Sequence, residues 1–212
     1  MTDNLTDAPL PKNGLLISIV FFSGSGHTTE MAHAVAKGVA ADDKISVVEH
    51  QITDTDFNGG RWQNDEVLEQ LDASDAIIFG SPTYMGSVSA QLKALMDATS
   101  PRYLERKWVD KIGAAFTVSG SPSGDKLNML MTCATFAMQH GMVWVGVEES
   151  PVTGSGHNRL ATFFGAAGEA LMEPPSEKPS TEDKRTGEML GRRVARLAYR
   201  LHASHSSTNL RD

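Results

Sequence analysis

Residues 15–39, LLISIVFFSGSGHTTEMAHAVAKGV, decide the fold. Leu15 to Phe22 is an apolar run interrupted by Ser18 alone, the pattern of a strand covered on both faces. Met31, Val35 and Val39 then recur at four-residue spacing, so Thr28 to Val39 reads as an amphipathic helix. Between them lies a short loop of small residues, Ser23-Gly24-Ser25-Gly26-His27-Thr28. A buried strand that turns at once into a helix opens a parallel α/β sheet.

The pattern repeats down the chain. Lys44 to Gln51 reads as a second, more polar strand, 54–63 as turns, and Asn64 to Ala73 as a short helix. Ala76 to Gly80 is a third strand, and Val88, Leu92, Leu95, Met96 and Thr99 mark the helix after it. A polar connection, 100–111, leads to a fourth strand, Ile112 to Ser119. Leu127, Leu130, Met131, Ala134 and Met138 are read as one face of a fourth helix, and Met142 to Val147 as a fifth strand. Residues 148–180, rich in Gly and Pro, are expected to form a long ordered loop with a short helical piece. Leu190, Val194, Leu197 and Leu201 define a final helix. The expected organisation is a disordered tail at 1–13, a single domain at 14–203 and a C-terminal tail at 204–212.

In such a sheet the strand-to-helix turns open on the C-terminal edge, where ligands bind at the topological switch point. The first loop has hydroxyls at Ser23, Ser25 and Thr28, and no Lys or Arg. Glycines let successive N–H groups form an anion nest, and the following helix adds its positive end. A phosphate monoester held by dipoles is one reading; a capped turn without a ligand is the other. The loop lacks the Gly-Lys-Ser/Thr ending of a P-loop, and Thr29 stands where a dinucleotide fingerprint needs a third glycine. The second loop is Ser81-Pro82-Thr83-Tyr84-Met85-Gly86-Ser87. Tyr84 and Met85 offer apolar surface either to a planar heterocycle or to a neighbouring helix or subunit. The third, Ser119-Gly120-Ser121-Pro122-Ser123-Gly124-Asp125, is either ligand-binding or a turn capping the next helix through Ser123 or Asp125. His140 ends the fourth helix, where a structural cation and a role at the ligand are both open.

Composition narrows the class. The formal net charge of -7 argues against a nucleic-acid or anionic-membrane surface. One cysteine, Cys133, permits no intramolecular disulfide and fits a reducing compartment; it is expected in the core. The polar start lacks the features of a secretory signal, and no apolar run is long enough to span a bilayer, so a cytoplasmic location is expected. The seven histidines are scattered, so no metal is expected. Trp144 reads as core, and Trp62 and Trp108 as candidate interface residues.

Together these residues resemble the flavodoxin-like superfamily. The first loop fits its phosphate pattern, Ser/Thr-x-Ser/Thr-Gly-x-Thr, in full. The closer resemblance is to the WrbA-type NAD(P)H:quinone oxidoreductases and their FMN-reductase relatives. AIIFGSPTYMGSVSAQLKALMDAT (76–99), the third loop and AMQHGMVWVG (137–146) carry it. It runs from about residue 15 to 202 and is weak in 50–75.

The resemblance implies a three-layer fold with a five-stranded parallel sheet of order 2-1-3-4-5, with helices on both faces. It implies FMN as cofactor, with NADH or NADPH as co-substrate and a quinone or similar two-electron acceptor. Ser23, Gly24, Ser25, Gly26, His27 and Thr28 would hold the phosphate. Ser81, Pro82, Thr83, Tyr84, Met85 and Gly86 would line the isoalloxazine. Ser119, Gly120, Ser121, Pro122, Ser123 and Gly124 would meet its pyrimidine side, with His140 near its carbonyl edge. Tyr103 falls where the family places an aromatic that reaches a neighbouring subunit's flavin, which implies a homodimer or homotetramer. His140 and Tyr84 are candidates for steadying charge on the reduced ring or a bound quinone. Met85 departs from the family's usual aromatic, Pro122-Ser123-Gly124 replaces a glycine run, and Asn158-Arg159-Leu160 resembles a segment found after strand five. An electron carrier and a non-catalytic flavin-binding regulator are the alternatives.

Overall fold

The computed structural model describes residues 14–41 and 44–205; the expected tail at 1–13 and residues 206–212 lie outside them. The strands are β1 (Leu15–Phe22), β2 (Ile45–Ile52), β3 (Ala76–Pro82), β4 (Ile112–Ser119), β5 (Val143–Trp144) and β6 (Ala166–Glu169). The helices are α1 (His27–Val39), α2 (Asp65–Ala73), α3 (Ala90–Ala98), α4 (Ser100–Leu104), α5 (Lys126–Gln139) and α6 (Thr181–His205). The sheet is parallel, in the order β2-β1-β3-β4-β5, with β6 also paired to β4. The expected flavodoxin-like architecture is therefore what the chain adopts.

Side-chain alternation along β1 builds the two cores. Leu15, Ile17, Ile19 and Phe21 pack with Met31 and Val35 of α1 and with Leu190 and Val194 of α6. Val20 faces the other way, joining Ile77, Phe79, Leu92, Leu130 and Trp108. Because both faces are covered along β1, β3 and β4, those strands are largely apolar, while the edge strand β2 is only partly buried and carries Glu49, His50 and Gln51. Glycines bring α1 and α6 to backbone contact: a Cβ at Gly38 would lie 1.9 Å from the Glu188 carbonyl oxygen, and one at Gly191 would lie 2.1 Å from that of Val35.

Several expectations change. Strand three runs on to Pro82, because parallel pairing continues to Pro82–Val118. Residues 57–62 form a small hairpin behind a helical turn at Asp54–Asp56, and the polar connection 100–111 contains α4. Trp62 and Trp108 are buried, at 7% and 0% exposure, rather than interface residues. Trp108 also donates its indole N–H to Asp72 at 2.7 Å, which satisfies the polar atom inside.

Helix α5 does not bury the face read from the sequence. Met129, Leu130, Cys133, Ala134 and Ala137 are buried, while Leu127, Met131 and Met138 are exposed. The helix is apolar on most sides, so its pattern does not define which side meets the sheet.

The fifth strand is split. β5 pairs with the first part of β4, at Ile112 and Gly113. The chain then leaves the sheet and returns as β6 beside Phe116 to Ser119. This strand was hidden in the expected loop 148–180 because Ala166-Ala167-Gly168-Glu169 carries no β-branched residue. The site demands small residues: a Cβ at Gly165 would lie 2.2 Å from the Ala115 carbonyl oxygen.

Candidate functional site

The turn after β1 is shaped by Ser23. Its hydroxyl accepts hydrogen bonds from the N–H groups of Gly26 (3.1 Å) and Thr29 (3.2 Å). Gly26 stands at the N-cap of α1 with φ +90°, a conformation that glycine tolerates best, and no side chain caps the helix. Among the described residues, the N–H groups of His27 and Thr28 have no acceptor in the protein. Two unengaged donors at the positive end of a helix suit an anion.

The second loop is a tight hairpin. Tyr84 and Ser87 exchange backbone hydrogen bonds of 3.1 and 3.0 Å, with Met85 (φ +46°) and Gly86 (φ +77°) at the tip. Both central residues lie in the left-handed region, as a type I′ turn requires, and Met85 holds that strained position with a fully exposed side chain. Asn128 Nδ2 donates to the Gly86 carbonyl (2.7 Å), tying the tip to α5. Ser81 and Thr83 serve the loop's own structure. Ser81 Oγ accepts from Ser89 N (2.9 Å), Thr83 N donates to Val118 O (2.9 Å), and the Thr83 and Thr117 hydroxyls meet at 2.7 Å.

In the third loop neither Ser123 nor Asp125 caps α5 with its side chain. Lys126 orders it instead. This lysine is fully buried, and its ammonium donates to the carbonyl oxygens of Ser121 and Pro122 (3.4 Å to the latter). Burial lowers the Lys126 pKa to about 8. A charged residue at the start of an apolar helix ordinarily reads as solvated, so no local pattern signals this burial.

The three loops meet in one cleft of about 210 Å³. Gly24, Ser25, His27 and Thr28 line one side, Pro82, Thr83 and Tyr84 a second, and Ser119 and Gly120 a third. Small residues keep it open: a Cβ on Gly24 would lie 2.4 Å from the Tyr84 hydroxyl, and one on Gly120 would lie 2.5 Å from Leu171 Cδ1. Ala170 and Leu171, just past β6, complete the wall. This strap is latched by His27, whose Nε2 lies 2.7 Å from the Glu173 carbonyl oxygen and whose Nδ1 lies 3.1 Å from Ser25 Oγ. The only sequence sign of the strap is apolar Leu171-Met172 inside a polar, proline-rich stretch. Ser23, Gly26, Ser81, Met85 and Gly86 shape the loops without lining the cleft, and Pro122 and Ser123 line a neighbouring cavity.

His140 and Tyr103 lie elsewhere. Helices α3 and α5 run back along the sheet, so the residues that follow them reach its opposite edge. There both line a groove of about 460 Å³, with ring centroids 6.0 Å apart and edge to face. His140 is 3% exposed, its Nε2 is 2.9 Å from the Thr99 hydroxyl, and its ring lies 4.5 Å from Trp108. Burial and the nearby Arg106 lower its pKa to about 4, so it is neutral at neutral pH and is no helix-terminal cation. Asn158 and Arg159 hold the segment that returns to β6. Asn158 bonds Glu149 O (3.0 Å) and Thr162 N (2.9 Å), and Arg159 pairs with Asp183 and Glu169 at 2.7 and 3.0 Å.

Cys133 is fully buried in α5, and burial pushes its thiol far above the usual range. The native protein is expected to leave DTNB unreacted over minutes, while the urea-unfolded chain releases one equivalent. Rapid native reaction would show that this face of α5 is open. Among the described residues no cluster of His, Cys, Asp and Glu could hold a metal, and no helix is long and apolar enough to cross a membrane.

A family model described as NADPH-dependent FMN reductase matches residues 17–154. Flavodoxin FldP of Pseudomonas aeruginosa (strain UCBPP-PA14) is 37% identical over 190 residues, which cover 87% of this chain and 97% of that protein. An NAD(P)H dehydrogenase (quinone) of Archaeoglobus fulgidus is 32% identical over 199 residues, covering 87% and 98%. The crystal structure of a flavodoxin, WrbA-like protein from Agrobacterium tumefaciens superposes with a TM-score of 0.69 at 35% identity, covering 88% of this chain and 99% of that one.

Proposed function

The chain belongs to the NADPH-dependent FMN reductase family of flavoprotein oxidoreductases, and on that footing we propose that it carries electrons from NAD(P)H, through FMN in the three-loop cleft, to a quinone or similar two-electron acceptor. The observation that carries the reading is the turn after β1: unengaged His27 and Thr28 amides at a helix N-terminus, in a glycine cradle. A phosphate monoester fits this donor set, since dipoles can hold a dianion without a fixed cation. The Ser25 and Thr28 hydroxyls add donors, Pro82 and Tyr84 offer apolar surface to the ring, and Gly120 leaves room at its polar edge.

Bound FMN supplies the hydride chemistry. The chain's residues bind and orient it. Among the described residues Tyr84 is the one Phe, Tyr or Trp in the cleft wall, so this chain alone would leave one ring face uncovered for donor and acceptor in turn. Neither Tyr103 nor His140 lines this chain's own cleft, and we read their groove as facing a neighbouring subunit's cleft in a homodimer or homotetramer. Exposed Leu127, Met131 and Met138 on α5 support such an interface. His140, neutral, buried and paired with Thr99, would support the Tyr103 ring there rather than act as a cation.

The Pseudomonas relative is named a flavodoxin, which favours an electron carrier as the second reading. An absorption spectrum with FMN, followed by anaerobic NADPH and NADH in turn, separates the two. The oxidoreductase is expected to bleach the flavin bands within seconds with at least one nicotinamide. A protein that binds FMN but resists both is a carrier.

A further inference from the structure

We propose that Lys126 is the positioning residue of the third loop, holding its carbonyls inward so that its N–H groups are left for the polar edge of the flavin. The inference rests on the FMN reading above and concerns residues outside the phosphate-binding turn.

The hydrogen bonds of the loop divide by polarity. Most of its carbonyls are engaged: Ser119 O by Ala170 N, Ser121 O and Pro122 O by the Lys126 ammonium, Ser123 O by Lys126 N and Asp125 O by Asn128 N, with Val118 O just before the loop held by Thr83 N. Among the described residues, the N–H groups of Gly120, Ser121, Ser123 and Gly124 have no acceptor in the protein. The Lys126 ammonium thus draws in two consecutive carbonyls, its backbone N–H takes a third, and the polar character left to the loop is mostly donor. A pyrimidine edge that carries carbonyl oxygens is its chemical complement.

Among the described residues the lysine's ammonium contacts carbonyls and no carboxylate. It is walled in by the loop: a Cβ on Gly124 would stand 2.2 Å from Ser119 Oγ and 3.3 Å from Lys126 Nζ. Gly124 (φ +52°) and Asp125 (φ +52°) are both left-handed, which turns the chain around the ammonium. Ser119 Oγ is itself buried without a partner. The charges facing the group are Glu169 at the end of β6 and Asp183 in α6, which favour the ammonium, and Arg159 of the return segment, which opposes it; Asp125 lies beside it in the chain. Burial outweighs them, so the ammonium is lost within reach of mild alkali.

Loop order and fold stability then respond to pH with opposite signs. A lysine whose folded pKa is depressed opposes folding while protonated, so from about pH 8 upward its contribution to stability improves. The carbonyl clamp weakens over the same range, because a neutral amine is a poorer donor. A merely structural lysine would show only the first effect.

The test is titration of the apoprotein with FMN and with riboflavin, read by flavin fluorescence, from pH 7 to 9.5, beside thermal melting of the same samples. Wild-type affinity for both ligands is expected to fall about tenfold with a midpoint near 8, without loss of apoprotein stability. Lys126→Met should bind about tenfold more weakly at pH 7 with a flat profile, and Lys126→Arg, which stays charged, should also be flat but tighter. A flat wild-type profile, or the wild-type slope persisting in Lys126→Met, overturns the proposal while leaving the FMN reading intact. If neither variant folds, the wild-type profiles decide: equal slopes for FMN and riboflavin support the clamp, and a slope for FMN alone overturns it. An apoprotein that takes up no flavin at any pH overturns the flavin reading and this one with it.

Discussion

Ser23→Ala is expected to weaken FMN binding about 30-fold or more while leaving the fold intact. The Ser23 hydroxyl is the one acceptor that gathers the Gly26 and Thr29 amides, at 3.1 and 3.2 Å. Alanine leaves both donors without a partner, at a cost of about 1 kcal/mol each at the low end, so about 2 kcal/mol or more falls on the geometry of the turn. On the proposed reading the turn faces the phosphate, so the loss should appear for FMN and be much smaller for riboflavin. Isothermal titration of both ligands, beside the melting temperature of the apoprotein, checks this. Equal losses for the two ligands, or wild-type affinity for FMN, would remove the phosphate assignment of this loop.

The second large effect is on stability. Gly191→Ala is expected to destabilise the protein although alanine is the better helix former. Helix propensity favours alanine by about 1 kcal/mol. Against this, the new Cβ would stand 2.1 Å from the Val35 carbonyl oxygen, and a backbone atom cannot move aside without its helix. Overpacking of this kind costs about 3 kcal/mol at the upper end of its usual range, so the clash wins by about 2 kcal/mol. For a chain of this length that lowers the melting temperature by about 4–8 °C. Gly187→Ala is the control: its Cβ would meet Met31 Sδ at 2.8 Å, the flexible part of a side chain, and should be near neutral. Because α1 carries at its N-terminus the turn proposed to hold the phosphate, Gly191→Ala should also weaken FMN. Scanning calorimetry showing the two variants equally stable would mean that α1 and α6 can separate freely.

Much of this was legible in local pattern. The apolar run of β1, the four-residue spacing of α1 and the hydroxyl-rich turn between them need only neighbours in sequence to be interpreted. What was misread depended on distant partners. The exposed face of α5, the buried Trp108 and the partition of Ser81 and Thr83 into internal hydrogen bonds all follow from which element lies opposite. No spacing within the chain encodes that choice.

The strand periods, the switch to helical spacing and the glycines and hydroxyls of the first turn were enough to imply a parallel α/β sheet with an anion site on its C-terminal edge, because backbone sterics and dipoles act over a few residues. Three features came only from the assembled chain: the split edge strand that brings Ala170 and Leu171 to the cleft, the placement of His140 and Tyr103 on the opposite edge, and the burial of Lys126 beneath the third loop. Each joins residues far apart in sequence, and solvent exclusion, which brings a lysine's pKa down to about 8 or keeps a histidine uncharged, is a property of the packed volume around a group rather than of its neighbours along the chain.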